Sequence, residues 1–291
     1  MRIRHLLRSF IYEQHWTLGF VEDPIMNLLD GKAFEIHYVN SMPKDRWFAD
    51  PFVLDYDENI IKVLVEEFSY KLHRGRIALL IIERNKYNLV RHKIILDLKT
   101  HLSFPFIKRE DGKVYVYPEN SESGSWTRYE YDSDSEQLIN PKVVVNEPLT
   151  DAILTEALGE KLICSTKKPN QNGSELTIYT EKGEIIQEIS FPSNIARNAG
   201  DWFFEGNKVY RPAQDCNGAY GTAVILQEVT TKDDGYFFKD VRCIKSTNPH
   251  FTTGCHTFNS YKGMTVVDVH GYRRPSLVKV ANIIRKILIF V

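Results

Sequence analysis

The sequence predicts an all-β fold, a five-bladed β-propeller with short helical extensions at the two termini. Three observations predict it. From about residue 34 onward, runs rich in Val, Ile, Tyr and Phe are separated by turn dipeptides such as Asp111-Gly112, Asn172-Gly173, Lys182-Gly183 and Lys262-Gly263. Five of those runs open alike, at a spacing that suits one four-stranded blade. Helical periodicity is confined to the ends of the chain.

The five openings are Phe48-Ala49-Asp50-Pro51-Phe52-Val53, Ser103-Phe104-Pro105-Phe106-Ile107, Leu149-Thr150-Asp151-Ala152-Ile153-Leu154, Ala199-Gly200-Asp201-Trp202-Phe203-Phe204 and Gly254-Cys255-His256-Thr257-Phe258. Aligned, they put Asp50, Phe104, Asp151, Asp201 and His256 in one column, at intervals of 54, 47, 50 and 55 residues. A two-sheet sandwich also repeats its strands every ~8–12 residues, and only the longer period selects the propeller. The chain then divides into an N-terminal extension (1–33), the propeller (34–275) and a C-terminal amphipathic segment (276–291).

In a propeller the first strand of each blade lines the central channel, so the column residues should converge from distant positions. Folding alone gives little reason to gather carboxylates, which repel one another and resist desolvation. The second strands bring more polar residues to the same region: Glu66-Glu67, Glu119 after Pro118, Arg211 between Tyr210 and Pro212, and Asp268 and His270. Glu67 and Glu119 follow their column positions by 17 and 15 residues, hence at similar heights, and at most one of Glu66 and Glu67 should face the channel. His101 precedes the blade-two strand and fills the gap left by Phe104.

Phe48-Ala49-Asp50-Pro51-Phe52, the stretch from Lys71 to Ala78 with Arg74-Gly75-Arg76-Ile77-Ala78, His101-Leu102-Ser103-Phe104-Pro105-Phe106 and Tyr117-Pro118-Glu119 together resemble two related groups. One is the five-bladed propeller of furanosidase-type glycoside hydrolases, family 43 and relatives. The closer one is the propeller-like N-terminal region of plant glucosamine inositolphosphorylceramide transferases and their bacterial relatives. The resemblance covers roughly residues 45–272. It implies that Asp50 is a general base or nucleophile and that Asp151 tunes acidity and orients substrate. The blade-four position, a glutamate general acid in those hydrolases, is Asp201 here, one methylene shorter. That departure leaves Glu119, Glu67 and Glu156 as further carboxyls for the proton. His256 stands where several of those hydrolases place a histidine near a channel-bound ion, so the resemblance permits a cation there; no metal ligand is assigned.

Glycosyl cleavage or transfer needs one charged and one protonated carboxyl group, and two carboxylates in a narrow channel push their pKa values apart. The expected function is therefore a carbohydrate-active enzyme, hydrolase-like or a glycosyltransferase, in glycan metabolism or assembly. Its catalytic residues are Asp50, Asp151, Asp201 and Glu119. Glu67, His101, Arg211, His256, His270 and Trp202 contact the carbohydrate substrate. Bland readings stand beside these: Asp50 before Pro51 suits a turn cap, and Trp47, Trp126 and Trp202 suit packing between blades. If the acids only hydrogen-bond sugar hydroxyls, the same funnel is a non-catalytic carbohydrate-binding propeller.

Bulk properties narrow the partners. A net charge of −1 argues against a nucleic-acid binder. Four scattered cysteines without a CxxC pair suggest reduced thiols. The N-terminal stretch does not read as a secretory signal, and no apolar run reaches about 18 residues, so a cytoplasmic location is expected. In 276–291, apolar residues alternate with Lys279, Asn282, Arg285 and Lys286 at helical spacing. This pattern suits either packing on the propeller or peripheral contact with an anionic membrane.

Overall fold

The computed structural model describes residues 10–289 except 157, 233 and 234. Among them, five four-stranded antiparallel sheets form the blades of a propeller. Blade one holds β3 (Arg46–Tyr56), β4 (Ile60–Ser69), β5 (Arg74–Glu83) and β6 (Asn88–Leu96). Blade two holds β7 (Ser103–Glu110), β8 (Lys113–Glu119), β9 (Trp126–Asp132) and β10 (Gln137–Val145). Blade three holds β11 (Leu149–Thr155), β12 (Leu162–Lys167), β13 (Glu175–Thr180) and β14 (Ile185–Ser190). Blade four holds β15 (Phe203–Glu205), β16 (Lys208–Asp215), β17 (Ala223–Lys232) and β18 (Gly235–Ile244).

The fifth blade closes the ring with both ends of the chain. Its order is β19 (Phe258–Tyr261), β20 (Met264–Tyr272), β1 (Gln14–Val21) and β2 (His37–Tyr38). β1 lies antiparallel to β20, with Gln14 opposite Tyr272 and Val21 opposite Thr265. Residues 14–21, grouped by sequence with the N-terminal extension, thus form a blade strand. Outside the blades lie the helices α1 (Ile25–Leu29) and α2 (Pro275–Ile289).

Burial follows position in the blade. β20 is buried from Met264 to Gly271, and β3 from Phe48 to Leu54. Both are covered on two faces by neighbouring blades and therefore read as continuous apolar runs broken by single polar residues. The outermost strands β10 and β14 are largely exposed. Apolar seams such as Leu18, Phe20, Phe48, Val63, Leu80 and Val266 weld blade five to blade one.

One device recurs on the inner strands. Asp50, Phe104 and Asp151 have φ of 51°, 42° and 44°. Each sits in a register shift of its blade, between Ala49↔Glu66 and Phe52↔Leu64, Ser103↔Glu119 and Phe106↔Tyr117, and Thr150↔Thr166 and Ile153↔Cys164. A bulge releases the backbone N–H from the ladder and re-aims the side chain. Left-handed backbone at a residue with a Cβ costs about 1–3 kcal/mol, so neighbouring contacts must hold it.

Candidate active site

Those contacts come from the next blade. The freed N–H of Asp50 donates to Asp268 at 2.9 Å, that of Phe104 to Asp50 at 3.0 Å, and that of Asp151 to Glu119 at 3.1 Å. A chain of carboxylates therefore runs from blade five through blades one and two to blade three, at the end of the channel where the inner strands begin. The column predicted from sequence is real for Asp50, Phe104 and Asp151. In each of blades one and two, the residue opposite the one before the bulge is a glutamate, Glu66 or Glu119.

Asp50 and His256 meet here. His256 Nδ1 lies 2.8 Å from Asp268, and Nε2 lies 3.3 Å from Asp50. Asp268 also accepts the backbone N–H groups of His256 and Thr257, and the Thr257 hydroxyl donates to Asp50 at 3.0 Å. Burial opposes charge on the imidazole, but Asp268 and Asp50 raise its pKa to about 9. Asp268 is held below its usual value by that imidazolium in spite of burial. Burial lifts Asp50 to about 7, with His256 pulling it down and Glu66 and Asp151 pushing it up. Asp50, His256 and Asp268 present donor atoms within 4.8 Å of one another. As arranged, both ring nitrogens of His256 face carboxylates, so a cation held by this trio would replace a proton of the imidazole.

Across the seam, Arg197 grips Asp151 through two nitrogens at 2.6 and 3.2 Å. Its third nitrogen donates to Asn172 at 2.7 Å, and Gln214 donates to Asp151 at 2.7 Å. This planar fork fixes the carboxylate in place. Glu119 sits beside the pair, 3.7 Å from Arg197, and takes a hydrogen bond from Ser121 at 3.3 Å. Burial and the Asp151 charge raise the Glu119 pKa to about 8, with Arg197 only partly offsetting them. Glu119 is thus the member of this pair whose protonated form is favoured, next to an ion-paired aspartate.

Aromatic rings rim the cluster. Trp16, brought in by β1, lies tilted against His256 at 4.2 Å and against His270 at 4.0 Å. Half-buried Trp47 lies flat on Phe68 at 4.7 Å, and Tyr220 meets His256 edge-on at 5.2 Å. The Arg197 guanidinium rests 5.0 Å from the Tyr220 ring. His101 accepts the Gly75 N–H on Nδ1 and directs Nε2 to Glu66 at 3.2 Å. Burial disfavours a charge on His101 and Glu66 favours it, but a second proton on Nδ1 would break the Gly75 bond, so the neutral ring fits this geometry. Burial and the His256 charge push His270 down to about 4, leaving it a neutral ring.

Several residues expected at the site lie elsewhere. Glu67 faces away from the channel and is clamped by Arg46 at 3.0 Å and Arg76 at 2.9 Å; its pleat neighbour Glu66 takes the inward face. Arg211 is wholly buried inside blade four, donating to Asn198 at 2.9 Å, to Gln227 at 2.6 Å and to the Ala196 carbonyl. Trp202 packs edge-on against Phe238 in an apolar seam. Asp201 stands apart from the Asp50 and Asp151 cluster, with its N–H on Asn259 and its charge neighbours Lys108 and Arg109. In blade four, Asn198 bridges β16 at Ala213 and donates to the Asp151 carbonyl, and so takes the place aligned with Asp201. Glu156 pairs with Lys108 at 3.1 Å. Arg197, Gln214, Tyr220 and Trp16 were not singled out from sequence.

Fold and site define a five-bladed propeller with an acidic, aromatic-rimmed funnel. The chain belongs to the family described as "Glucosamine inositolphosphorylceramide transferase 1, N-terminal", whose model matches residues 36–270. Proteins named glucosamine inositolphosphorylceramide transferase 1 are 27% identical over 148 residues in Oryza sativa subsp. japonica and 26% identical over 155 residues in Arabidopsis thaliana. Those matches take in 47% and 48% of this chain but 20% of each relative, so the similarity spans a fifth of their length. Among solved structures, a family 117 glycoside hydrolase produced by the marine bacterium Zobellia galactanivorans shares the fold. Its TM-score is 0.50 and its identity 11%, and the match covers 80% of this chain and 86% of that one.

Proposed function

We propose that this chain is a carbohydrate-active enzyme that breaks or transfers a glycosidic bond in the funnel, with Glu119 as the general acid. The observation that carries the reading is a buried Glu119 lifted to about 8 beside the Arg197-bound Asp151. A donor of this kind protonates a leaving sugar oxygen near neutral pH. Asp50 is the carboxylate that meets positive charge developing on the sugar ring, with His256 favouring its ionised form. Asp151 is the positioning residue that sets the acidity of Glu119. Trp47 and Tyr220 offer ring faces to a sugar. The relatives' name and the match to their N-terminal region support a carbohydrate substrate.

One observation favours a second reading, a non-catalytic carbohydrate-binding propeller. The oxygens of Asp50 and Asp151 are already engaged by Phe104, Thr257, His256, Arg197 and Gln214. Calorimetry on a panel of oligosaccharides, glycolipid headgroups and nucleotide sugars, beside mass-spectrometric product analysis, separates the two. The enzyme reading expects product that disappears in Glu119→Gln while binding persists. Tight binding with no product from the wild-type chain would establish the binding module instead.

A further inference from the structure

Helix α2 leaves the propeller at the funnel mouth. It follows β20 directly, and Arg273 at the junction donates to the Lys44 carbonyl at 3.0 Å and covers the Tyr70 ring at 3.9 Å. Lys44 and Tyr70 flank the first residue of β3 and the last of β4, at the end of blade one that carries the acidic cluster. The preceding segment packs on the same helix: Tyr12 donates to Asn282 at 2.8 Å, and Arg274 donates to the Phe10 carbonyl and lies over its ring.

The helix uses little of its apolar surface for the fold. Val278 is buried, whereas Leu277, Val280, Ile283 and Ile284 are 43%, 54%, 58% and 52% exposed, and Phe10 beside them is 51% exposed. These helix positions recur at three- and four-residue spacing and so share a face. Along this segment the sequence carries charge of one sign. After Asp268 the sequence holds Arg273, Arg274, Lys279, Arg285 and Lys286 and no Asp or Glu. Glu13, beside the junction, is already paired with Arg273 and Arg274 at 2.9 and 2.7 Å. Among the described residues no helix is long and apolar enough to cross a membrane.

We infer that α2 and Phe10 form a docking surface for an anionic lipid bilayer, lying in the headgroup layer and holding the funnel mouth toward the membrane. An exposed apolar stripe flanked by basic residues is what an interfacial helix needs. Because the helix is rooted at the mouth, docking brings the acidic cluster next to lipid headgroups rather than to bulk water. This inference stands whether or not the funnel is catalytic.

Co-sedimentation of the full chain with vesicles tests it. Vesicles of phosphatidylcholine with phosphatidylserine should bind the chain, high salt should release it, and phosphatidylcholine alone should bind it weakly. The double variant Val280→Glu, Ile283→Glu alters two exposed residues, so its melting temperature should be unchanged while binding falls by about tenfold or more. Two results would overturn the inference: no binding to anionic vesicles, or a dimer in solution that the same double variant dissociates, which would make the surface an interface between copies. Orientation is read separately in a Cys243→Ser background with a dye on Ser123→Cys at the mouth or Glu58→Cys at the far end. A headgroup-attached quencher should quench the first and spare the second, and equal or reversed quenching contradicts the orientation.

Discussion

Glu119 Oε2 accepts the backbone N–H of Asp151 at 3.1 Å while Arg197 holds the Asp151 carboxylate at 2.6 Å. One contact thus supports a strained bulge and places a neutral acid against an ion pair. The fold keeps Glu119 protonated to about 8, whereas the unfolded chain ionises it near 4.5. Between those values folding takes up a proton, so its contribution to stability falls as pH rises. Glu119→Gln keeps the shape and removes the titration. Its melting temperature at pH 8 should equal or exceed that of the wild type, while turnover on the true substrate falls about 10²–10⁴-fold.

The pH dependence of the whole ring has one sign above mild acidity. His256, raised to about 9, contributes stability that is complete below its ordinary value near 6.5 and is lost as pH rises through 9. Asp50, raised to about 7, disfavours the folded state progressively from about 4 to 7. Asp268, lowered, acts the other way, and its contribution is lost on acidification. Thermal melts should therefore show greatest stability on the mildly acidic side, with decline toward pH 9. His256→Gln removes the upper part of that decline and leaves Asp50 facing Asp268, at a cost of about 3–5 kcal/mol near neutral pH.

Arg197→Lys keeps the charge but loses the fork that holds Asp151 and Asn172 together. The folded state should persist, with the alkaline limb of the activity profile, set by Glu119, displaced and turnover lowered about 10–100-fold, as expected for a misplaced orienting group. A profile identical to wild type would show that Arg197 serves packing alone.

Asp201→Asn is the contrasting variant. Asp201 is half-buried beside Lys108 and Arg109, away from Asp50 and Asp151, and burial lifts it to about 7. Activity should be retained, and stability above pH 4 should not fall, since the variant no longer ionises there. Loss of activity matching that of Asp50→Asn would return the general-acid role to Asp201.

The superperiod was legible because the inner-strand bulge repeats a short pattern around Asp50, Phe104 and Asp151. It failed in blade four because the chain from 191 to 202 is irregular, and Asp201, three residues past Asn198, imitates the pattern. Glu66 and Glu67 could be assigned to opposite faces but not to the right ones, since alternation carries no absolute register; pairing with Ala49 decides it. Trp16 lay hidden because β1 pairs with β20 across nearly the whole chain, which leaves no local signal. Arg197 and Tyr220 sit in loops whose sequences carry no motif, so only the folded ring brings them to Asp151 and His256.

Carbon-13 NMR of the Glu119 carboxyl, assigned by its absence in Glu119→Gln and followed across pH, tests the account most directly. A carboxyl that stays protonated through neutrality and titrates near 8 is the predicted result. Titration near 4.5, the ordinary value of an unperturbed glutamate, would contradict it.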